Sequence, residues 1–334
     1  MVDINIIQAS LTEAKAALER IASPEKTFIV FDENVAELVA ALGLPAAGTL
    51  GISATEEDKS LGTVMEIDRW LMDMGANRDA FVLGVGGGIT TDMVGFAASI
   101  YKRGVRFAFI PTTLLSQVDA AIGGKNGVNL DNYKNMIGVI RQPEVTLICP
   151  EALQSLPERQ IVNGAAELLK TFIISNENDN YRKATEALSG DIDYSSLSCL
   201  VAEAAKVKAF IAGKDPYEKG QRRLLNLGHT FAHAIEKESG ETIPHGEAVA
   251  IGIILAARLA ERLELAENGL EDRLRKDFLA CGLPVDCPYG VDVLADSMGK
   301  DKKAEGGIVH FVLPLAVGKV ETRDLSVAEV VEKL

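Results

Sequence analysis

The chain has 334 residues, 47% of them hydrophobic and 25% charged, with a formal net charge of −14. That length supports a sizeable core and reads as two domains, and the composition excludes a disordered chain. The excess of acid excludes nucleic acid and an anionic membrane surface as partners, since both demand a basic face; a locally basic cleft for a small anion stays open.

The first residues read as an amphipathic helix carrying Glu13, Lys15, Glu19 and Arg20, without the apolar core of a signal peptide. Thr27-Phe-Ile-Val-Phe31 reads as a buried strand ending at Asp32, followed by a helix over 34–42 that stops at Gly43. A helical pattern over 56–74, a strand over 80–85, a Gly86-Gly-Gly88 turn and an apolar helix over 92–101 come next. Strands over 107–110 and 145–149 are ended by Pro111 and Pro150. Strands separated by helices imply parallel pairing and a doubly wound, Rossmann-like α/β domain over 1–155.

Beyond Pro150 helical periodicity dominates from Glu158 to Leu279, broken at Pro216, Gly240, Pro244 and Gly282. The tail holds one strand-like run over 307–314 and a short final helix, so 156–334 is expected to be a mainly α-helical domain. The active site is expected in the cleft between the two halves. The most apolar helical run, 248–257, lies between Glu247 and Arg258 and is too short to span a bilayer. Cys149, Cys199, Cys281 and Cys287 are scattered without a CxxC pair and read as reduced thiols of a cytoplasmic protein.

Three of the four histidines, His229, His233 and His245, fall within seventeen residues. With Glu167 they offer enough donors for a catalytic divalent metal bound by three protein ligands and open at a fourth position. His229 and His233 lie one helical turn apart, so both can ligate one ion, or one ligates while the other handles protons. Glu167 and Lys170 share a helix face within apolar neighbours, which argues for a buried charge pair that a metal would compensate. His310, alone in the tail, reads as an ordinary polar residue.

Gly84-Val-Gly-Gly-Gly-Ile-Thr-Thr-Asp92 follows a strand and opens a helix, where glycines let a pyrophosphate approach backbone N–H groups. Its spacing departs from GxGxxG, and the bland alternative is a tight strand-to-helix turn. Asp32 stands where an acid can bind ribose hydroxyls. Asp119, Lys125, Lys134, Asn135 and the Lys102-Arg103-Gly104 run gather charge between predicted elements and suggest an anion site. Lys206, Lys208, Arg222 and Arg223 are balanced between clamping an anion and facing solvent.

From about Asp32 to Gly318 these segments resemble the 3-dehydroquinate synthases of the sugar phosphate cyclase superfamily. The resemblance lies in GGGxxxDMxGF (Gly86–Phe96), RGVRF (Arg103–Phe107), IPTTLLSQVDAAIGGK (Ile110–Lys125), KNxIG (Lys134–Gly138), AELLK (Ala166–Lys170), LLNLGHTFAHAIE (Leu224–Glu236), HGEAVAIG (His245–Gly252) and DKK (Asp301–Lys303). It implies Glu167, His229 and His245 as ligands of zinc, or of cobalt, with His233 left as a proton-handling group. It implies Lys125, Lys170, Asn135 and Arg103 at the reacting centre, and Asp119, Lys134, Lys208, Arg222, Asn226 and Lys302 as substrate-binding residues. Asp32, Asn34, Glu56, Lys59, Gly87, Gly88, Asp92, Thr112 and Thr113 match NAD-binding positions.

The activity implied is conversion of 3-deoxy-D-arabino-heptulosonate 7-phosphate into 3-dehydroquinate and phosphate in the shikimate pathway. Its course is transient oxidation by NAD, phosphate elimination, re-reduction, ring opening and intramolecular aldol closure. A homodimer is implied, with Arg103 reaching the substrate phosphate. The chain departs from the family in Lys214-Asp-Pro-Tyr-Glu-Lys-Gly-Gln-Arg-Arg223, which keeps Arg223 beside Arg222 as a candidate, in Asp119-Ala-Ala, and in Asn126-Gly after Lys125. Lys303 likewise stands beside Lys302. The rival readings are another sugar phosphate cyclase, a metal-dependent polyol dehydrogenase, and a non-catalytic nucleotide-binding protein.

Overall fold

The computed structural model describes residues 2–131, 133–301 and 308–334, so Lys302 and Lys303 lie outside the described residues. The first elements are β1 (Ile6–Gln8), α1 (Leu11–Ile21), β2 (Thr27–Asp32), α2 (Ala36–Leu42), β3 (Gly48–Ile52), α3 (Leu61–Asp73), β4 (Phe81–Gly86), α4 (Gly88–Ile100), β5 (Arg106–Pro111), β6 (Lys125–Leu130), β7 (Tyr133–Ile140) and β8 (Thr146–Ile148). There follow α5 (Glu151–Gln154), α6 (Glu158–Ile174), α7 (Asn180–Leu188), α8 (Tyr194–Lys214), α9 (His229–Glu238), α10 (His245–Arg262), α11 (Leu270–Ala280), α12 (Val291–Asp301), β9 (Ile308–Ala316), β10 (Lys319–Ser326) and α13 (Val327–Lys333). Two compact units result: Met1–Pro157 with Lys208–Tyr217, and Glu158–Val207 with Glu218–Leu334.

The first unit is built on a parallel sheet in the order β1-β8-β5-β4-β2-β3. Side chains alternate across a strand, and Phe28, Val30, Val82, Phe107 and Phe109 meet Val64, Ile67, Leu71, Met93 and Val94 of α3 and α4. The opposite face, with Ile29, Phe81, Leu83, Ala108 and Ile110, meets Ala14, Leu18 and Leu42 of α1 and α2. Burial on both faces explains why these strands read as continuous apolar runs. From β2 the chain turns outward to β3 and then returns to the other side of β2 at β4. This switch point brings Asp32 and Gly87, at neighbouring strand ends, to the crevice where doubly wound sheets bind ligands.

Several elements differ from the sequence expectation. The helix expected over 56–74 begins at Leu61, because Ser60 caps it and residues 55–59 form a turn knit by Asp58, whose carboxylate accepts from the Ser53 and Thr55 hydroxyls at 2.5 and 2.6 Å. The helix expected from Asp92 starts at Gly88. Strands β1 and β3 and the β6–β7 hairpin have no counterpart in the periodicity: β1 spans three residues, β3 contains two glycines, and β6 opens Lys-Asn-Gly. The tail holds an antiparallel pair, not one strand; β10 is polar along much of its length and carries no clear alternation.

In the second unit α10 is the buried centre, apolar almost all round from Gly246 to Ala260. Its approach to its neighbours is set by missing side chains. A Cβ on Gly246 would stand 1.8 Å from the Asn163 carbonyl oxygen of α6, and one on Gly252 would stand 2.2 Å from the Gly228 oxygen at the start of α9. Gly228 has φ 78, a left-handed conformation that costs glycine little. These contacts pack α10 against α6 and α9, bringing the starts of α9 and α10, which carry His229 and His245, to the middle of α6, which carries Glu167. Gly252→Ala is therefore expected to lower unfolding stability by about 1–3 kcal/mol, as overpacking does, and to reduce bound zinc. A urea midpoint and metal content equal to the parent's would refute this packing constraint.

Candidate active site

The site in the second unit begins with a carboxylate placed where water cannot reach it. Glu167, on α6, is 0% exposed, and neither carboxylate oxygen has a hydrogen-bond donor of good geometry. Lys170, one turn on and equally buried, forms an ion pair with its Oε2. Oε1 lies 3.5 Å from His229 Nε2 and 3.4 Å from His245 Nε2. Two imidazoles from different helices thus meet one buried oxygen.

Each ring is held from behind. His229 Nδ1 lies 3.1 Å from the Leu227 carbonyl, which can only accept, so the proton sits on Nδ1 and the Nε2 lone pair is free. His245, the first residue of α10, places Nδ1 3.4 Å from Glu236 Oε1 on α9. Asn163 Oδ1 accepts from the Gly246 N–H at 2.6 Å and anchors that helix start.

Charge follows from these contacts. Burial works against a charge on Glu167, yet Lys170, His245 and His229 together hold its carboxyl well below the usual range. Burial, then the Lys170 ammonium, pushes His229 down to about 3 and keeps it neutral. Burial also opposes charge on His245, but the Glu167 and Glu236 carboxylates beside its two ring nitrogens raise it to about 10.

The donor set fits a divalent cation. The ligating atoms of Glu167, His229 and His245 lie within 4.8 Å of one another. A tetrahedral ion with bonds of about 2.0–2.1 Å has ligand–ligand edges of roughly 3.3–3.4 Å, close to the two Oε1–Nε2 separations. A cation at the shared apex would supply the partner that Oε1 lacks. Imidazole nitrogen, which His245 offers once a cation displaces its proton, and carboxylate oxygen suit zinc, and cobalt shares the preference.

The other expected residues of this unit divide by burial. His233 stands one turn from His229, their rings edge to face at 5.6 Å. Arg222 is 3% exposed in the 3-10 turn Gln221–Asn226, whereas Arg223 is exposed and donates to the Glu218 carbonyl. Asn226 donates to Glu218 Oε1. His310 and Asp324, both exposed, pair across the β9–β10 ladder.

In the first unit the expected nucleotide residues collect around the strand ends. Asp32 accepts from the backbone and side chain of Asn34 at 3.0 and 2.9 Å. Gly87 is the N-cap of α4 and Gly88 its first residue, with no side chain capping the turn, which leaves helix-end N–H groups for an anion. Thr112 N–H donates to Gly86 O at 2.9 Å, and the Thr113 hydroxyl lies 2.9 Å from that of Ser116. Lys59 is buried and 2.6 Å from both Asp92 Oδ2 and Asn135 Oδ1. Burial, opposed by Lys59, raises the Asp92 carboxyl to about 6.

Asp119 pairs with Lys208. Lys208 is 7% exposed, while Lys206, two residues earlier on α8, points to solvent and pairs with Glu203. Lys125 and Lys134 are exposed on the β6–β7 hairpin. Arg103 ends the turn after α4 with φ 69, beside Lys102 at φ 47. Both border an open depression of about 690 Å³ with Asn77, Arg78 and Asp79, some distance in sequence from the other cations.

Sequence reasoning passed over Glu236 and Glu218. Glu236 sits one turn after His233 in an apolar stretch, the same signal that singled out Glu167. Glu218 has φ 56, rare outside glycine and asparagine, and residue type alone gives no sign of it.

A doubly wound sheet with an uncapped glycine turn at its switch point, and a buried carboxylate held by two imidazoles, define a nucleotide-binding α/β enzyme with a candidate metal centre. The chain belongs to the 3-dehydroquinate synthase family: the family's N-terminal model matches residues 49–163 and its C-terminal model residues 164–304. A 3-dehydroquinate synthase of Dictyoglomus thermophilum is 40% identical over 284 residues, 84% of this chain and 79% of that one. A 2-epi-5-epi-valiolone synthase from Streptomyces hygroscopicus, solved with NAD+ and Zn2+ bound, superposes with TM-score 0.87 at 27% identity, covering 99% of this chain and 95% of its own. A 2-deoxy-scyllo-inosose synthase, complexed with carbaglucose-6-phosphate, NAD+ and Co2+, gives TM-score 0.85 at 25% identity over 98% and 95% of the two chains. Among the described residues no helix is long and apolar enough to cross a membrane.

Removing one ligand should separate metal binding from proton handling. Glu167→Ala or His245→Ala is expected to purify with less than about a tenth of the parent's zinc, since two ligands cannot hold a tetrahedral site. His233→Ala should keep its zinc and lose turnover. Loss of zinc from the His233 variant alone would reassign the ligand set.

Proposed function

We propose that this chain is a 3-dehydroquinate synthase, converting 3-deoxy-D-arabino-heptulosonate 7-phosphate into 3-dehydroquinate and phosphate with NAD and a divalent metal, zinc or cobalt. The observation that carries the reading is the Glu167–His229–His245 cluster in a chain matched along both halves by that family. Bound there, the metal would act as Lewis acid towards substrate oxygens, while NAD would take up and later return a hydride.

The chain's own residues supply binding, orientation and proton control. Lys170 balances the charge of Glu167 and keeps its carboxylate ionised. His233, beside His229 but outside the three-ligand cluster, is the group assigned to proton handling. Lys125, Lys134, Asn135, Lys208, Arg222 and Asn226 are assigned to the carboxylate, hydroxyl and phosphate groups of the substrate, with Asp119 orienting Lys208. Fixing both ends of a dianion orients its middle, and orientation lowers the barrier. Asp32, Asn34, Glu56, Lys59, Gly87, Gly88, Asp92, Thr112 and Thr113 are assigned to NAD. The reading also takes the enzyme as a cytoplasmic homodimer in which Arg103 serves the substrate phosphate.

The test is direct. Zinc-loaded protein, incubated with the heptulosonate phosphate and catalytic NAD, should release phosphate stoichiometrically with substrate and leave no lasting NADH absorbance. Accumulating NADH would make it a dehydrogenase. Turnover of glucose 6-phosphate or sedoheptulose 7-phosphate in place of the heptulosonate would make it another cyclase.

A further inference from the structure

Asn129, near the end of β6, joins two segments whose Lys59 and Asn135 stand 76 residues apart in the sequence. Its side-chain amide donates to Glu56 Oε1 at 2.8 Å and to the Glu56 carbonyl at 3.4 Å. Its side-chain oxygen accepts from the Asn135 N–H at 2.9 Å, and its backbone N–H donates to the Lys59 carbonyl at 2.9 Å. The partners on one side only accept and the partner on the other only donates, so chemistry fixes the amide orientation. Lys59 Nζ closes the ring, 2.6 Å from Asn135 Oδ1.

Both joined segments are already ordered. The Glu56–Lys59 turn is knit by Asp58. Asn135 is held at φ 55, a conformation that persists in a non-glycine residue where its surroundings fix it. Asn129 fixes it through the backbone and Lys59 through the side chain.

We infer that Asn129 is a positioning residue that ties the turn bearing Glu56 and Lys59 to the segment bearing Lys134 and Asn135, so that nucleotide and substrate are held by one connected network. The inference rests on the proposed function, which assigns the first segment to NAD and the second to the phosphosugar. A residue that merely stabilised the hairpin would touch neither Glu56 nor the Lys59 carbonyl.

The experiment uses the zinc-loaded full chain, with NAD affinity read by calorimetry and steady-state kinetics on the heptulosonate phosphate. Asn129→Ala is expected to raise both the Kd for NAD and the KM for substrate about tenfold, the equivalent of ~1.4 kcal/mol, with kcat and zinc content less affected. Asn129→Asp differs little in shape and keeps the acceptor for Asn135, but it sets a carboxylate against Glu56. It should weaken NAD about tenfold in the parent, yet less than about threefold in a Glu56→Gln background, where the repulsion is gone. An Asn129→Ala variant with either constant within about twofold of the parent's would overturn the inference, as would an equal effect of Asn129→Asp in both backgrounds. If the parent itself fails to turn over the heptulosonate phosphate, the proposed function falls, and the NAD cycle between Asn129 and Glu56 still decides the tie.

Discussion

A fully buried carboxylate oxygen without a hydrogen-bond donor is the constraint around which the second unit is arranged. Desolvating a carboxylate is expensive unless positive charge compensates it. Lys170 compensates one oxygen of Glu167, and the other faces two imidazole nitrogens. A helix carrying such a pair on its buried face would be a liability in an ordinary core. It becomes intelligible when α9 and α10 deliver His229 and His245 to the same oxygen, each ring steered through its other nitrogen by Leu227 or Glu236. The close helix contacts at Gly228, Gly246 and Gly252 are the geometric condition for that delivery.

On the proposed function the first unit faces a different problem, the seating of anionic groups on a protein with a net charge of −14. It does so with backbone as much as with side chains. The uncapped start of α4 offers N–H groups at the sheet's switch point, and helix dipole and strand topology point the same way. Two of the positive side chains nearby are held by acids or amides: Lys59 is buried between Asp92 and Asn135, and Lys208 is aimed by Asp119. Global acidity and local basicity coexist because these contacts act over a few ångströms, within the screening length of physiological salt.

How legible this was in the sequence depends on the kind of signal. Strands β2, β4, β5 and β8 were readable because burial on both faces leaves apolar runs, and α10 because its alanines and isoleucines admit little else. The Glu167–His229–His245 cluster, a candidate metal site, was readable because histidine is scarce and a lone glutamate within Gly164–Leu169 has no solvent to face. The choice between His229 and His233 as ligand was not readable from spacing, since helical periodicity puts both on one face; the resemblance to a family narrowed it. The β6–β7 hairpin escaped because its strands contain Asn126, Gly127, Lys134 and Asn135, poor strand formers held by tertiary contacts to α4 and to the Glu56–Lys59 turn. Glu218 escaped because a left-handed backbone leaves no trace in residue type.

X-ray absorption at the zinc edge of the purified, zinc-loaded protein examines the central claim most directly, because it reads the metal's neighbours without requiring turnover. Two imidazoles and an oxygen-rich remainder, with bonds of about 2.0–2.2 Å, are the expected result. A sulfur shell near 2.3 Å, or scattering from fewer than two imidazoles, would contradict the account.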